Sequence, residues 1–424
     1  MLTVTRRAFP RLEVTRLARA AVPGLCAVVL VACTTDGSPT PAAPETPQAT
    51  PSRALDATVV QEGLSFPWDI AFAPDGRMVV SERPGRIRVY ASGEPDAALL
   101  QTIEVPDVRA VGEAGVMGMD FDADFDEFPF LYVCASRDPD GEGGDARWRN
   151  ELLRFRVTED DISFEGPVFE STIRANRQHN GCAVEADANG QIWMTVGDGL
   201  TARGGGPQLD NLNGKVLRLN RDGTVPEDNP TLFGRVGLPY TIGHRNPQGI
   251  ALQPDGGPPY TAEHGPNVND EVNRITAGGN YGWPCYTDED TPPEDIGGHD
   301  ALEIECGPPS DYLPAAWASG DATLATSGLV FLEGEAWGPW EGNLVVSTLK
   351  EQDVRRFVLD EDGTPVLEEV LLNEQFGRLR AAVIGPDGAL YISTSNARNL
   401  SQEGMTPAPE ESNDVIVRIA PASP

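Results

Sequence analysis

Four histidines occur in the 424 residues of the chain, and their settings differ. His179 lies in RQHNGC (Arg177–Cys182), just ahead of an apolar run. An imidazole with a near-neutral pKa is suited to taking a proton from a hydroxyl group. His244 and His264 fall inside the densest motif of the chain, Tyr240–Pro284, where Gly, Pro and Asn alternate with Arg245, Asn246, Asp270 and Glu271. So many residues of fixed or unusual backbone geometry suit a site built from carbonyls and a few held polar groups. Gly265 and Pro266, flanked by Glu263 and Asp270, offer carbonyl oxygens of the kind Ca²⁺ accepts. Arg245, Lys350, Arg378 and Arg380 come from separate parts of the chain and could converge on one anion, arginine by bidentate pairing and lysine as a point charge. Lys350 and Lys215 are the only lysines in the sequence. Glu113, in the Gly-bounded turn GEAGVMG, could orient a base or a substrate. The acidic run Asp120–Glu127 is a second place for a hard cation, although it lacks the central Gly of an EF-hand loop. His299 sits in an acidic insertion without a comparable setting. Dinucleotide, Walker, HExxH and GxSxG signatures are absent.

The elements that must position these groups form a repeat. A turn of the Asp/Asn-Gly kind leads into an apolar strand ending in Ser or Thr, and a further strand follows. Copies begin at Pro74, Asp126, Ala188, Pro254, Trp340 and Pro386. Short β-rich runs bounded by turn residues, with no long amphipathic helix, read as hairpins. Six such units predict an all-β, six-bladed β-propeller, since no single sheet buries both its faces alone. Ala57–Leu64 is expected to complete the last blade. Polar residues scattered over loops of several blades then meet at the central channel.

Outside the repeat, residues 1–33 read as an export signal: Arg6, Arg7, Arg11, Arg16 and Arg19 precede the apolar run Ala20–Ala32. The run ends Leu30-Val31-Ala32-Cys33, the pattern of a bacterial lipobox with Cys33 as the lipidated residue. Residues 34–57, rich in Pro, Thr, Ala and Ser, read as a tether, leaving 58–424 as the propeller. The expected location is therefore outside the cytoplasm, attached to the cell envelope only by lipid. Cys134, Cys182, Cys285 and Cys306 make an even set in an exported protein, which suggests two disulfides, with Cys285–Cys306 the local choice. The net charge of −33 disfavours nucleic acid and anionic membranes and suits a neutral substrate, a cation or a basic partner.

From about Phe66 to Ile419 the sequence resembles the soluble quinoprotein sugar dehydrogenases, the glucose/sorbosone or aldose dehydrogenases that use pyrroloquinoline quinone (PQQ). GHRNPQG (Gly243–Gly249), EHGPNVNDEVN (Glu263–Asn273) and GGNYGWP (Gly278–Pro284) carry the likeness most specifically. GEAGVMGMDFDADF, VGDG (Val196–Gly199), NGKVLRLN, STLK (Ser347–Lys350) and GRLR (Gly377–Arg380) add to it. The resemblance implies oxidation of an aldose at its anomeric hydroxyl, with His179 as base and hydride passing to the quinone. It implies that Arg245 and Asn246 contact the quinone oxygens and that the carbonyls of Gly265 and Pro266 bind Ca²⁺. Lys350, Arg378 and Arg380 would surround the cofactor carboxylates, with Glu113, His264, Asp270, Thr323 and Ala325 close by. The electron acceptor is not implied. Three positions depart from the glucose-oxidising pattern: Glu113 stands for a Gln, Gln178 for an Asp beside the base, and His264 for a Gln. They suit the broader aldose branch. Two other classes fit the fold: a non-catalytic propeller binding a glycan or protein, and a Ca²⁺-dependent lactone hydrolase, which would need metal-binding carboxylates in the channel.

Overall fold

A computed structural model describes residues 52–141, 148–200, 209–285, 308–396 and 414–422. Six four-stranded antiparallel sheets stand around a central axis. Their inner strands are Pro67–Phe72, Val116–Phe121, Gly181–Ala186, Pro247–Ala251, Thr326–Phe331 and Leu379–Ile384, and each lies against the next around a closed ring. The sixth blade takes its outer strand from the start of the chain: Leu55–Leu64 pairs with Asp414–Pro421. That strand begins earlier than the sequence suggests, so Leu55–Ala57 belong to the blade and not to the tether.

The six sequence repeats are the second strands. Met78–Glu82, Phe130–Arg137, Tyr260–Glu263, Leu344–Thr348 and Leu390–Thr394 are buried along their whole length, and Gln191–Val196 nearly so, because each is covered by a neighbouring blade on both faces. Burial on two faces gives a continuous apolar run where a half-buried strand would alternate.

Every inner strand shifts register against its second strand near its start, between Pro67 and Asp69 in blade 1 and at the matching place in the other five. The bulge leaves an amide that the ladder does not pair. In blades 1, 3 and 6 a Ser or Thr near the end of the second strand receives it. In blade 1 the Asp69 N–H donates to Ser81 Oγ at 3.0 Å, and that hydroxyl donates to the Met117 carbonyl of blade 2 at 2.7 Å. Thr195 repeats the bridge between Ala183 and Pro247, and Ser393 between Ala381 and Pro67. In blade 2 this position is Cys134, and a disulfide to Cys182 of blade 3 replaces the hydrogen bond. Cys285 is also disulfide-bonded; Cys306, its expected partner, lies outside the described residues, as do His299, the signal segment and most of the tether.

The bulges also set the width of the ring. A Cβ on Gly118, Gly249 or Gly328 would stand 2.3, 2.3 or 2.6 Å from backbone oxygen or nitrogen of the next inner strand, so only glycine permits this approach. The channel narrows there to a cavity of about 40 Å³ lined by all six inner strands. The acidic run after Val116 is used in packing. Asp120 accepts the Phe121 and Ala186 amides, and Asp122 pairs with Arg221 and accepts from the Tyr132 hydroxyl. Among the described residues no helix is long and apolar enough to cross a membrane.

Candidate active site

The loops entering the inner strands, with those joining second to third strands, share one mouth of the channel. His179 enters blade 3 in a left-handed backbone conformation (φ 59°), followed by Gly181 (66°) and Cys182 (69°). Two non-glycine residues in this region are held against a local cost of order 1 kcal/mol each by their surroundings. The His179 N–H donates to Glu113 Oε2 at 2.9 Å, its carbonyl accepts from Gly199 at 3.0 Å, and Cys182 is in the disulfide.

This backbone turns the imidazole toward Asp198. Nδ1 lies 2.8 Å from Asp198 Oδ1, and Asp198 Oδ2 accepts the indole N–H of Trp283 at 2.9 Å. A buried carboxylate facing Nδ1 selects the tautomer protonated there and leaves the basic lone pair on Nε2. Replacement of an Asp by Gln178 therefore does not leave the ring without an acidic partner. Asp198 supplies it from the loop after the following strand, Gln191–Val196. The VGDG motif contained this residue, but nothing in the sequence indicated its partner. Gly197 is needed for the approach, since a Cβ there would fall 2.1 Å from the His179 carbonyl oxygen.

Blade 4 supplies a floor braced from below. The Glu263 carboxylate accepts the amides of Arg245 and Asn246 on one oxygen and faces His244 Nδ1 at 2.9 Å with the other. His244 also meets Thr241 Oγ1 at 2.9 Å and stacks on Tyr281. It is completely buried, a brace for the Arg245–Asn246 turn. Arg245 donates from Nη1 to the His264 carbonyl at 3.1 Å and lies over the Trp283 ring at 5.3 Å. Asn246 accepts the Gly181 amide with Oδ1 and turns Nδ2 toward Glu113. Gln248, which carried no role on sequence grounds, donates to Asn246 and accepts from Arg380 Nη1 at 3.0 Å.

Asp270 has a structural duty. Its carboxylate accepts the amides of Gly265 at 2.8 Å and of Leu324 and Ala325 at 2.6 Å each, which ties the blade 4 loop to the entry of blade 5. Gly265 is confined, since its Cβ would sit 1.9 Å from the Val268 carbonyl oxygen. On the blade 5 side Lys350 Nζ donates to Thr323 Oγ1 at 2.6 Å. Arg380 lies 3.6 Å above the Trp68 ring, and Arg378 is half-buried beside it.

Burial governs the charges at this mouth. Desolvation lowers the Arg245 and Arg378 guanidinium groups and brings Arg380 down to about 9, with Arg378 adding repulsion to the last. Desolvation also lowers the pKa of His264, against the pull of Asp270 and Glu113. Among the described residues Arg245 Nε, Arg380 Nε and His264 Nε2 are buried without a hydrogen-bond partner. Unmet polar atoms of this kind are uncommon in folded proteins, and these three lie at the mouth where the buried charges are. An anion rich in oxygen acceptors fits them, which is the chemistry of a quinone bearing carboxylates. The Gly265 and Pro266 carbonyls are hard donors of the type Ca²⁺ takes.

The sequence-derived set is thus largely one connected group. Glu113, His179, Arg245, Asn246, His264 and Arg380 link through hydrogen bonds that also run through Asp198, Trp283 and Gln248, three residues that sequence reasoning left without a role. Gly265, Asp270, Ala325, Thr323 and Lys350 form the adjoining side. Arg378 joins through its charge.

The family model for Glucose / Sorbosone dehydrogenase matches residues 64–401. The aldose sugar dehydrogenase YliI of Escherichia coli (strain K12) is 30% identical over 358 residues, covering 81% of this chain and 91% of that one. Quinoprotein glucose dehydrogenase B of Acinetobacter calcoaceticus is 26% identical over 425 residues, covering 83% and 88%. Among solved structures, an oxidoreductase (glucose dehydrogenase) from Thermus thermophilus superposes with a TM-score of 0.69 at 31% identity, over 86% of this chain and 100% of the other. With the ring of six blades and the polar mouth already described, these matches establish that the chain belongs to the glucose/sorbosone dehydrogenase family.

Proposed function

We propose that the protein oxidises an aldose at its anomeric hydroxyl to the lactone, with PQQ as cofactor and Ca²⁺ beside it. Membership of the family and the quinoprotein relative support the sugar and the quinone. The observation that carries the mechanism is the His179–Asp198 pair beside partnerless buried nitrogens of Arg245, Arg380 and His264.

His179 Nε2 removes the hydroxyl proton as the C1–H bond gives up its hydride, and the C–O bond becomes the carbonyl of the lactone. Asp198 keeps the ring in the productive tautomer and stabilises the imidazolium that forms. PQQ, when bound, supplies the hydride acceptor, and Ca²⁺ supplies Lewis-acid polarisation. Arg245 and Asn246 would contact the quinone oxygens, Lys350, Arg378 and Arg380 the carboxylates, and the Gly265 and Pro266 carbonyls the metal. Glu113, His264, Thr323, Ala325 and Asp270 complete the wall. Asp270 acts there through the backbone it holds.

The test is reconstitution of the purified protein with PQQ and Ca²⁺, followed by a panel of aldoses and a dye acceptor. Cofactor absorbance with sugar-dependent dye reduction is expected; absence of both refutes the proposal. Lactone consumption without an acceptor would favour the hydrolase instead, although among the described residues no group of three His, Cys, Asp or Glu is placed to hold a metal. We also propose that Cys33 is lipidated and holds the protein to the outer side of a bacterial membrane. Cys33→Ala should then release it from the membrane fraction.

A further inference from the structure

Trp283 belongs to blade 4 in sequence but lies against blade 3. The segment leading to it lies parallel to the end of the outer strand of blade 3, with the Tyr281 amide on the Ile242 carbonyl and the Trp283 amide on the Gly243 carbonyl. Its side chain, 6% exposed, touches two functional groups with two different parts. The indole N–H donates to Asp198 Oδ2 at 2.9 Å, opposite the oxygen that holds His179 Nδ1. The ring face lies under the Arg245 guanidinium at 5.3 Å. A third link runs along the backbone, where the Asp198 amide donates to the Arg245 carbonyl at 2.8 Å.

We propose that Trp283 is the positioning residue that fixes the base and the quinone-binding arginine relative to each other. The proposal rests on the reading of His179 as base. The N–H sets the rotation of the Asp198 carboxylate, and through it the plane and tautomer of the His179 ring. The face sets the height of Arg245, a cation–π contact in a desolvated setting. A hydrogen bond to a buried carboxylate is worth enough for its loss to slow a step that depends on it by about 10- to 100-fold.

Two variants of the full chain separate the two contacts. Trp283→Phe keeps the face and removes the donor. PQQ affinity, read by absorbance titration, should stay within about twofold while kcat falls about 10- to 100-fold. Nitrogen-15 NMR of the cofactor-free protein should show the His179 ring moving from a single Nδ1–H tautomer to a mixture, with the signal assigned by its loss in His179→Gln. Trp283→Leu removes the face as well and should also weaken PQQ by about tenfold. Unchanged kcat and an unchanged ring signal in Trp283→Phe would overturn the proposal. So would equal loss of PQQ binding, turnover and melting temperature in both variants, which is what a purely structural tryptophan gives. If the wild-type protein neither binds PQQ nor reduces dye, the functional reading fails, and the NMR comparison still decides the link from Trp283 to His179.

Discussion

The two ends of the central channel are built on the same six strands and bury different ionisable groups. At the end where the inner strands begin, Arg245, Arg378 and Arg380 gather, and burial lowers each of them. From the waist toward the other end come Asp69, Asp120 and Glu185, on the inner strands of blades 1, 2 and 3. Burial raises these instead: Asp69 to about 7, Asp120 to about 6, and Glu185 well above the usual range. The same desolvation pushes each kind of group toward neutrality. The difference lies in what else is present. The carboxylates of Asp69 and Asp120 already accept backbone amides, whereas the arginine end keeps buried N–H groups with no partner. One end is completed by the chain itself. The other suits an anion.

The largest expected effect is on chemistry. His179→Gln should lower kcat by about 10³-fold with PQQ affinity retained, while Glu185→Gln at the opposite end leaves kcat within about twofold. Steady-state dye reduction measures both, and a large loss in Glu185→Gln would erase the functional distinction between the ends. Asp198→Asn comes next, with a loss of about 10²-fold from the wrong ring tautomer. Arg380→Leu should weaken PQQ by about 10- to 100-fold in an absorbance titration, since it removes a charged donor that the proposed function assigns to the cofactor carboxylates.

Stability responds more gently. Replacing Cys134 and Cys182 by Ser should cost about 2–4 kcal/mol in denaturant unfolding, and it should reduce kcat more than PQQ affinity, because the bond anchors the left-handed turn behind His179. Stability also depends on pH. In the unfolded chain Asp69 and Asp120 lose their protons near pH 4, whereas in the fold they keep them to about 7 and 6. The folded state binds more protons across that window, so their contribution to stability falls as pH rises through it. Melting temperature should drop between pH 5 and pH 8, and Asp69→Asn should flatten the slope.

Much of this was legible beforehand because a propeller writes its second strands into the sequence as continuous apolar runs. The six repeats, the closing strand and the gathering of His179, Arg245, Lys350, Arg378 and Arg380 near one mouth follow from that pattern. What was not legible depends on contacts across blades. Asp198 and Trp283 are 85 residues apart and meet at one carboxylate oxygen. Cys134 and Cys182 pair across 48 residues because both occupy the bulge position of neighbouring blades, which no spacing rule reveals. Conversely, His244 and Asp270 stand out in a motif rich in chemistry, yet both are spent on holding backbone. A polar residue in such a motif can serve either the ligand or the loop that meets the ligand, and only the donors around it tell which.

The closing of the ring by its first and last strands has one more consequence. The Ala422 amide donates to the Ala54 carbonyl at 2.9 Å, so the two ends of the folded domain are adjacent. Blade order along the chain is then a matter of where the circle was cut. A gene permuted to begin at the Asp360–Thr364 turn, with the old ends joined by a short linker, should encode the same ring and the same site. It would differ in which blade emerges last, and so in which pair of strands must find each other before the channel exists.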